Sequence, residues 1–321
     1  MPLCNCTTSA TFSPATPAET SAHPICLVPR ILIGTCSWTD KSLIESGNFY
    51  PADVKTPEAR LRFYASKFPI VEVDSSYYAI PAERTATQWA ERTPKDFVFD
   101  VKAFRLLTTH QTQPRVLPKH VAESLPVSDR KTVYYKDLPR ELIDAVWSEF
   151  RAALRPLKEA GKLGVVLFQF PPWFLPHKES LAHIEECLER MAGFQLAVEF
   201  RHETWFNEKG RERTLTFERD RGIVNVIVDE PQGLKTSVPP VWEVTHADVA
   251  MVRLHGRNHG TWEKKGLKAA SDRFDYWYDR KELEQLVPEI KKLHAKKVHV
   301  LFNVNNQDQG QKGAEMLQSL V

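Results

Sequence analysis

Glycine is scarce in this 321-residue chain. There are 13 glycines, and none group into a phosphate-cradling loop. The turn after the first candidate strand reads Gly34-Thr35-Cys36-Ser37-Trp38 rather than G-x-G-x-x-G, which argues against a dinucleotide-binding doubly wound sheet. Cysteine is scarcer still. Its five copies, Cys4, Cys6, Cys26, Cys36 and Cys187, are odd in number, and the C-x-C at Cys4 and Cys6 lacks the second pair a zinc site needs. Reduced cytosolic thiols are therefore expected. No apolar stretch approaches the ~20 residues required to span a bilayer. Charge is nearly balanced, with 43 Lys and Arg against 41 Asp and Glu, so no global field calls for nucleic acid or an anionic membrane. These absences predict a soluble, cytoplasmic protein whose partner is a small molecule. Residues 1–29, rich in Pro, Ser, Thr and Ala, lack the basic and apolar regions of a signal peptide and are expected to form a disordered tail.

What the chain does have is alternation. Eight short, β-branched runs are predicted as strands at 31–36, 70–74, 97–102, 163–169, 195–200, 223–228, 249–255 and 298–303. Several are continuously apolar, as parallel strands covered by helices should be. Amphipathic segments at 57–68, 85–91, 140–160, 178–191, 211–221 and 281–295 separate them, and 309–321 closes the chain. Eight β–α units predict a single (β/α)8 barrel domain over residues 30–321. Two long segments, 105–139 and 229–248, follow strands three and six. They therefore belong to the face where such barrels carry their sites.

Alternation within each strand separates two faces. Gln195, Ala197, Glu199 and Arg201 share one; Leu196, Val198 and Phe200 share the other. Glu72 and Asp74 oppose Val71 and Val73, Asp100 and Lys102 oppose Phe99 and Val101, and Arg253 and His255 oppose Val252 and Leu254. Thr35, Ser37, Gln169, Asp229 and Asn303 occupy comparable strand ends. Burying such groups is costly unless they pair or serve a ligand. An internal salt-bridge network accounts for any one of them; the whole set points to a site. Aromatic residues also follow the strands, at Trp38, Tyr77, Tyr78, Trp173 and Trp205, where they can stack on a ligand or shield a pocket.

The same residues carry a resemblance. Gly34-Thr35-Cys36-Ser37-Trp38 with Phe49-Tyr50-Pro51 is similar to the opening of the YecE-like family, a domain-of-unknown-function family also called DUF72. In order there follow Val71-Glu72-Val73-Asp74-Ser75-Ser76-Tyr77-Tyr78 with Pro81, Phe99-Asp100-Val101-Lys102 with Thr109-His110, and Leu167-Phe168-Gln169-Phe170-Pro171-Pro172. Ala197-Val198-Glu199-Phe200-Arg201-His202 with Trp205, Arg253-Leu254-His255-Gly256, and Phe302-Asn303 complete the series. The resemblance spans roughly residues 31–305. It implies a (β/α)8 barrel with these residues gathered at its top, and no established reaction. The chain departs from the family pattern at Asp74, where members often carry Asn. It departs again at Asn303-Val304-Asn305-Asn306, where they carry a more direct Asn-Asn pair.

Three chemistries compete. Paired carboxylates, Glu72 and Glu199, suit acid/base catalysis on a sugar-like or anionic substrate, with His255 as a proton shuttle. A divalent metal held by Glu72, Glu199, Asp229 and His255 suits an isomerase, lyase or phosphodiesterase, although no metal-binding motif specifies one and no ligand is assigned. A barrel that binds a small anion without turnover suits Arg201, Arg253, His110 and Lys102. The expected catalytic residues are Glu72, Glu199 and His255. The expected substrate contacts are Ser37, Trp38, Asp74, Tyr78, Lys102, His110, Gln169, Arg201, Trp205, Arg253 and Asn303. No nucleophile elbow or kinase motif is present, and no partner that would activate Cys36 is identifiable.

Overall fold

The computed structural model describes residues 1, 29–125, 131–264, 266–267 and 273–321. Nearly all of the expected tail, with Cys4, Cys6 and Cys26, lies outside the described residues. Eight parallel strands close on themselves in chain order: β1 (Arg30–Cys36), β2 (Ile70–Val73), β3 (Val98–Lys102), β4 (Leu163–Gln169), β5 (Leu196–Glu199), β6 (Val224–Asp229), β7 (Val249–Leu254) and β8 (Lys297–Phe302). Each expected strand is found, with its ends within one residue of the expected bounds. The long helices also fall where the periodicity puts them: α2 (Pro57–Lys67), α3 (Glu83–Glu91), α5 (Arg140–Glu159), α6 (Lys178–Arg190), α7 (Arg211–Asp220), α9 (Arg280–Lys291) and α10 (Gln309–Gln318).

The outward strand faces drive the assembly. Val71, Val73, Phe99, Val101, Val198, Phe200, Val252 and Leu254 are all essentially inaccessible to water, removing their apolar surface under the helical ring. Local chemistry starts the helices in the right places. Thr56 accepts from the Ala59 amide ahead of Pro57 at the first position of α2, and Asp279 with Glu282 forms a reciprocal capping box on α9. Three short helices were not visible as periodicity, because four to six residues are too few to show one. They are α1 (Lys41–Ser46), α4 (Lys119–Glu123) and α8 (His259–Trp262), in the loops after β1, β3 and β7. Caps from Asp40 and Asn258 open α1 and α8.

One irregularity shapes the interior. The β3–β4 register shifts between Phe99 and Val101, which face Leu163 and Val166, so β4 carries one extra residue. Gly164 occupies the bulge, and a Cβ there would stand 2.1 Å from Asp100 Oδ1. The displaced Val165 amide donates to that same oxygen at 2.8 Å. Cys36 and Cys187 are buried, unpaired thiols. Among the described residues no helix is long and apolar enough to cross a membrane.

Candidate active site at the barrel mouth

Arg253 on β7 is the centre of a buried ionic network. Its Nε donates to Glu72 Oε2 at 2.9 Å and its Nη2 to Glu72 Oε1 at 2.7 Å, while Nη1 donates to Glu199 Oε2. All three side chains are inaccessible to water. Glu199 Oε1 also accepts from Gln169 Nε2 at 2.6 Å, His255 Nε2 at 3.1 Å and Arg201 Nη1 at 3.3 Å. Burial opposes the Glu199 charge, but Arg253, His255 and Arg201 outweigh it and hold the carboxyl well below the usual range. Burial pushes the Glu72 carboxyl up, partly countered by Arg253 and Lys102. Burial also brings His255 down to about 4, against the pull of Glu199. His255 is thus a neutral ring whose Nε2–H faces Glu199, so its Nδ1 accepts from Asn303 Nδ2 at 2.8 Å.

Above this floor, at the C-terminal ends of the strands, lies a cavity of about 570 Å³. Its walls include Asp74, Tyr77, Tyr78, Lys102, His110, Gln169, Trp173, Arg201, Arg273, Phe274, Asn303 and Asn305. Lys102 pairs with Asp74 at 2.9 Å and lies 4.7 Å over the Tyr77 ring. The Arg201 guanidinium stacks 4.7 Å over Trp262. Arg273 donates to the Lys264 carbonyl at 3.3 Å. The Nε atoms of Arg201 and Arg273 are both buried without a partner among the described residues. Burial, and then the charge of Arg201, lowers the pKa of Arg273: two guanidiniums act on each other across one wall.

His110 contributes a second neutral imidazole. Burial and then Lys102, Arg105 and Arg201 bring it down to about 3, and its Nδ1 lies 2.9 Å from Thr108 Oγ1. The preceding Thr109 adopts φ 62, an uncommon conformation for a β-branched residue, at the turn that aims His110 into the cavity. Behind Arg201, Glu230 is buried with Oε1 accepting the Val238 amide at 2.7 Å and Oε2 without a partner among the described residues. Burial raises this carboxyl to about 8 despite Arg201. Further from the strand ends, His299 Nδ1 meets Asp100 at 2.9 Å, forming a second buried pair.

A family model described as "Protein of unknown function DUF72" matches residues 32–321. The chain belongs to this family. Among curated DUF72 relatives, the UPF0759 protein YunF of Bacillus subtilis (strain 168) is 34% identical over 295 residues, covering 90% of this chain and 94% of that one. The UPF0759 protein YecE of Escherichia coli (strain K12) is 28% identical over 182 residues, 56% of each chain. Two solved DUF72 structures agree in fold. One, from Thermotoga maritima MSB8, has a TM-score of 0.70 at 30% identity, covering 91% of this chain and 98% of that one. Another, from Enterococcus faecalis V583, has a TM-score of 0.73 at 25% identity, covering 90% and 94%.

Within this DUF72 barrel, Asp74, Tyr78, Lys102, His110, Gln169, Arg201 and Asn303 line the cavity, while Glu72, Glu199, Arg253 and His255 lie beneath it, fully or almost fully buried. Of the three terminal asparagines, Asn303 and Asn305 face the cavity and Asn306 is not among its walls. Ser37, Trp38 and Trp205 stand outside the walls. The Ser37 carbonyl accepts from Thr35 Oγ1. Trp38 packs edge-on against Trp89 and Phe99. Trp205 stacks 3.7 Å from Phe200 and donates its indole N–H to the Phe174 carbonyl at 2.7 Å. Both tryptophans are buried and spent on packing.

The divalent-metal set does not assemble. Asp229 accepts from Arg257 and Tyr278, and both glutamates face a guanidinium whose charge repels a cation. Among the described residues no three His, Cys, Asp or Glu side chains group to hold a metal ion. The buried Cys36 thiol is pushed up by burial and by Glu72, which leaves it an inert contact of Arg253 at 3.6 Å. Sequence reasoning missed Arg273, Phe274, Asp40 and Glu230, all on loops where no strand parity marks them.

Proposed function

We propose that the barrel mouth binds a small polar anion, a carboxylate or phosphate, and performs proton-transfer chemistry on it. One observation carries this reading: Arg201 and Arg273 both line one cavity at the barrel mouth, each with a Nε that has no partner among the described residues. An anion between the two guanidiniums answers their charge and relieves their mutual repulsion, and charge-assisted hydrogen bonds of this kind are the strong ones. Lys102 adds a third cation at the same cavity. Gln169 and Asn303 orient the ligand, because their own orientations are fixed by Glu199 and His255.

In this reading His110 is the proton-transfer group. It is a neutral imidazole beside three cations, with Nδ1 engaged by Thr108. Asp74, paired with Lys102, and Asp40 are the carboxylates at the cavity surface. Glu72, Glu199 and His255 serve as positioning residues under the floor, acting on the ligand through Arg201, Gln169, Asn303 and Lys102.

The test is calorimetric titration of the full chain with inorganic phosphate, acetate and small sugar phosphates. Replacing Arg201 with Met removes one charged donor and weakens anion binding by about tenfold or more, equivalent to ~1.4 kcal/mol or more. If the wild-type protein takes up no anion, or Arg201→Met binds it equally well, the anion reading is wrong.

A further inference from the structure

A second cleft of about 590 Å³ adjoins the polar cavity, and Trp173 is a wall of both. The cleft is lined chiefly by Tyr134, Tyr135, Phe174 and His183. Its character is opposite to that of its neighbour, with mostly apolar walls and no arginine. Among the described residues, three of the six exposed large apolar side chains stand at these two spaces. Tyr78 lines the polar cavity, Tyr134 the cleft, and Trp173, 61% exposed, stands between them. Exposed aromatic clusters of this kind mark binding surfaces.

The aromatic walls are held by internal bonds. Tyr135 accepts the Trp147 indole N–H at 2.9 Å and meets His183 edge-on at 4.8 Å. His183 Nε2 lies 2.9 Å from the Leu107 carbonyl; burial keeps the ring neutral, so Nε2–H donates to it. The turn at Thr109 joins the two spaces: Thr109 itself lines the cleft, and His110, the next residue, lines the cavity. His110 in turn packs edge-on against Trp173 at 5.9 Å.

We infer that the two spaces form one bipartite site. Its ligand is a small acid carrying a planar ring, with its anionic head between Arg201 and Arg273 and its ring passing Trp173 into the cleft. The inference rests on the proposed anion site and adds the chemical class of the rest of the molecule. An aromatic occupant is favoured over an aliphatic one because the walls present ring faces and edges, which hold planar partners in stacked or T-shaped contact. A cleft of this volume is of the size that small-molecule ligands fill.

The test compares matched pairs by calorimetry on the full chain: inorganic phosphate against phenyl phosphate, and propionate against 4-phenylbutyrate. The ring-bearing member binds about tenfold or more tightly, as burial of an aromatic face implies. Two variants check where that gain arises. Ser180→Trp fills the cleft from the first turn of α6, and Tyr134→Ala removes an exposed wall; neither residue lines the polar cavity. Both variants lose the gain and keep the wild-type affinity for phosphate and propionate. Equal binding of the paired acids overturns the inference, as does a gain that survives in both variants, while leaving the anion site standing. If no acid binds but phenol or benzyl alcohol does, both the anion reading and the joined site fall, and the cleft is an independent apolar site.

Discussion

Replacing Arg253 with Met removes one guanidinium and strands two carboxylates, to different degrees. Glu199 keeps Gln169, His255 and Arg201. Glu72 loses both of its hydrogen bonds from Arg253 and keeps Lys102 as its nearby cation, with Asp74 opposing its charge. Breaking a buried ion pair by deleting one partner costs about 3–5 kcal/mol, and the methionine fills most of the vacated space, so cavity formation adds little. The expected loss is therefore about 3–5 kcal/mol at neutral pH, read by urea unfolding of the full chain. It is also pH-dependent. With Arg253 gone, the largest influence lowering the Glu72 carboxyl disappears, so its folded pKa rises further above the ordinary carboxylate value of 4.5. A carboxyl raised by folding costs stability as pH climbs above its unfolded value. The gap between variant and wild type consequently shrinks from pH 7.5 toward pH 5. The double variant Arg253→Met/Glu72→Gln removes the stranded charge and recovers about 2 kcal/mol of the loss. A loss below about 1 kcal/mol, or one equal at both pH values, refutes the claim that this guanidinium neutralises the barrel floor.

Glu230 titrates near 8 in the fold against 4.5 for an ordinary glutamate. The unfolded chain thus releases this proton first, and stability falls as pH rises from about 4.5 to 8, by about 4 kcal/mol at pH 7.5. Glu230→Gln flattens that slope in urea titrations between pH 5.5 and 8; an unchanged slope removes Glu230 from the account. Gly164→Ala forces a methyl against Asp100 and costs about 1–3 kcal/mol in the same assay, whereas Gly260→Ala, whose nearest neighbour is 3.5 Å away, costs little. Trp205→Phe keeps the stack on Phe200, loses the bond to Phe174, and lowers stability by about 1–2 kcal/mol. Its phosphate affinity stays at the wild-type value, and a large loss of affinity would return Trp205 to the site.

Strand parity made the interior legible. The alternation in β2, β5 and β7 is enough to put Glu72, Glu199 and Arg253 on one face, and the apolar residues between them under the helices. Parity does not say which inward groups satisfy one another and which remain open to a ligand. Glu72, Glu199 and His255 look as available in sequence as Lys102 and Arg201; only the three-dimensional closure of the barrel reveals that Arg253 and Asn303 have claimed them. A tryptophan just after a strand is equally ambiguous. Trp173 turns outward to the cavity and Trp205 inward to Phe200, although both follow the same rule of position. Arg273 and Glu230 lie in loops, where no period exists to expose them. The β4 bulge also defeats counting by twos, since the extra residue at Gly164 and Val165 resets the faces partway along the strand.

The cross-barrel ties carry a consequence for how the chain is made. Glu72 and Asp100 belong to strands completed early in synthesis, yet their partners Arg253 and His299 arrive 181 and 199 residues later. Until then, a half-barrel of β1–β4 would offer Glu72 only the charge of Lys102 and Asp100 only the Val165 amide, and its free edges would stay open. The interior ties are complete only when β7 and β8 are in place, and strand edges left open before then are free to pair elsewhere.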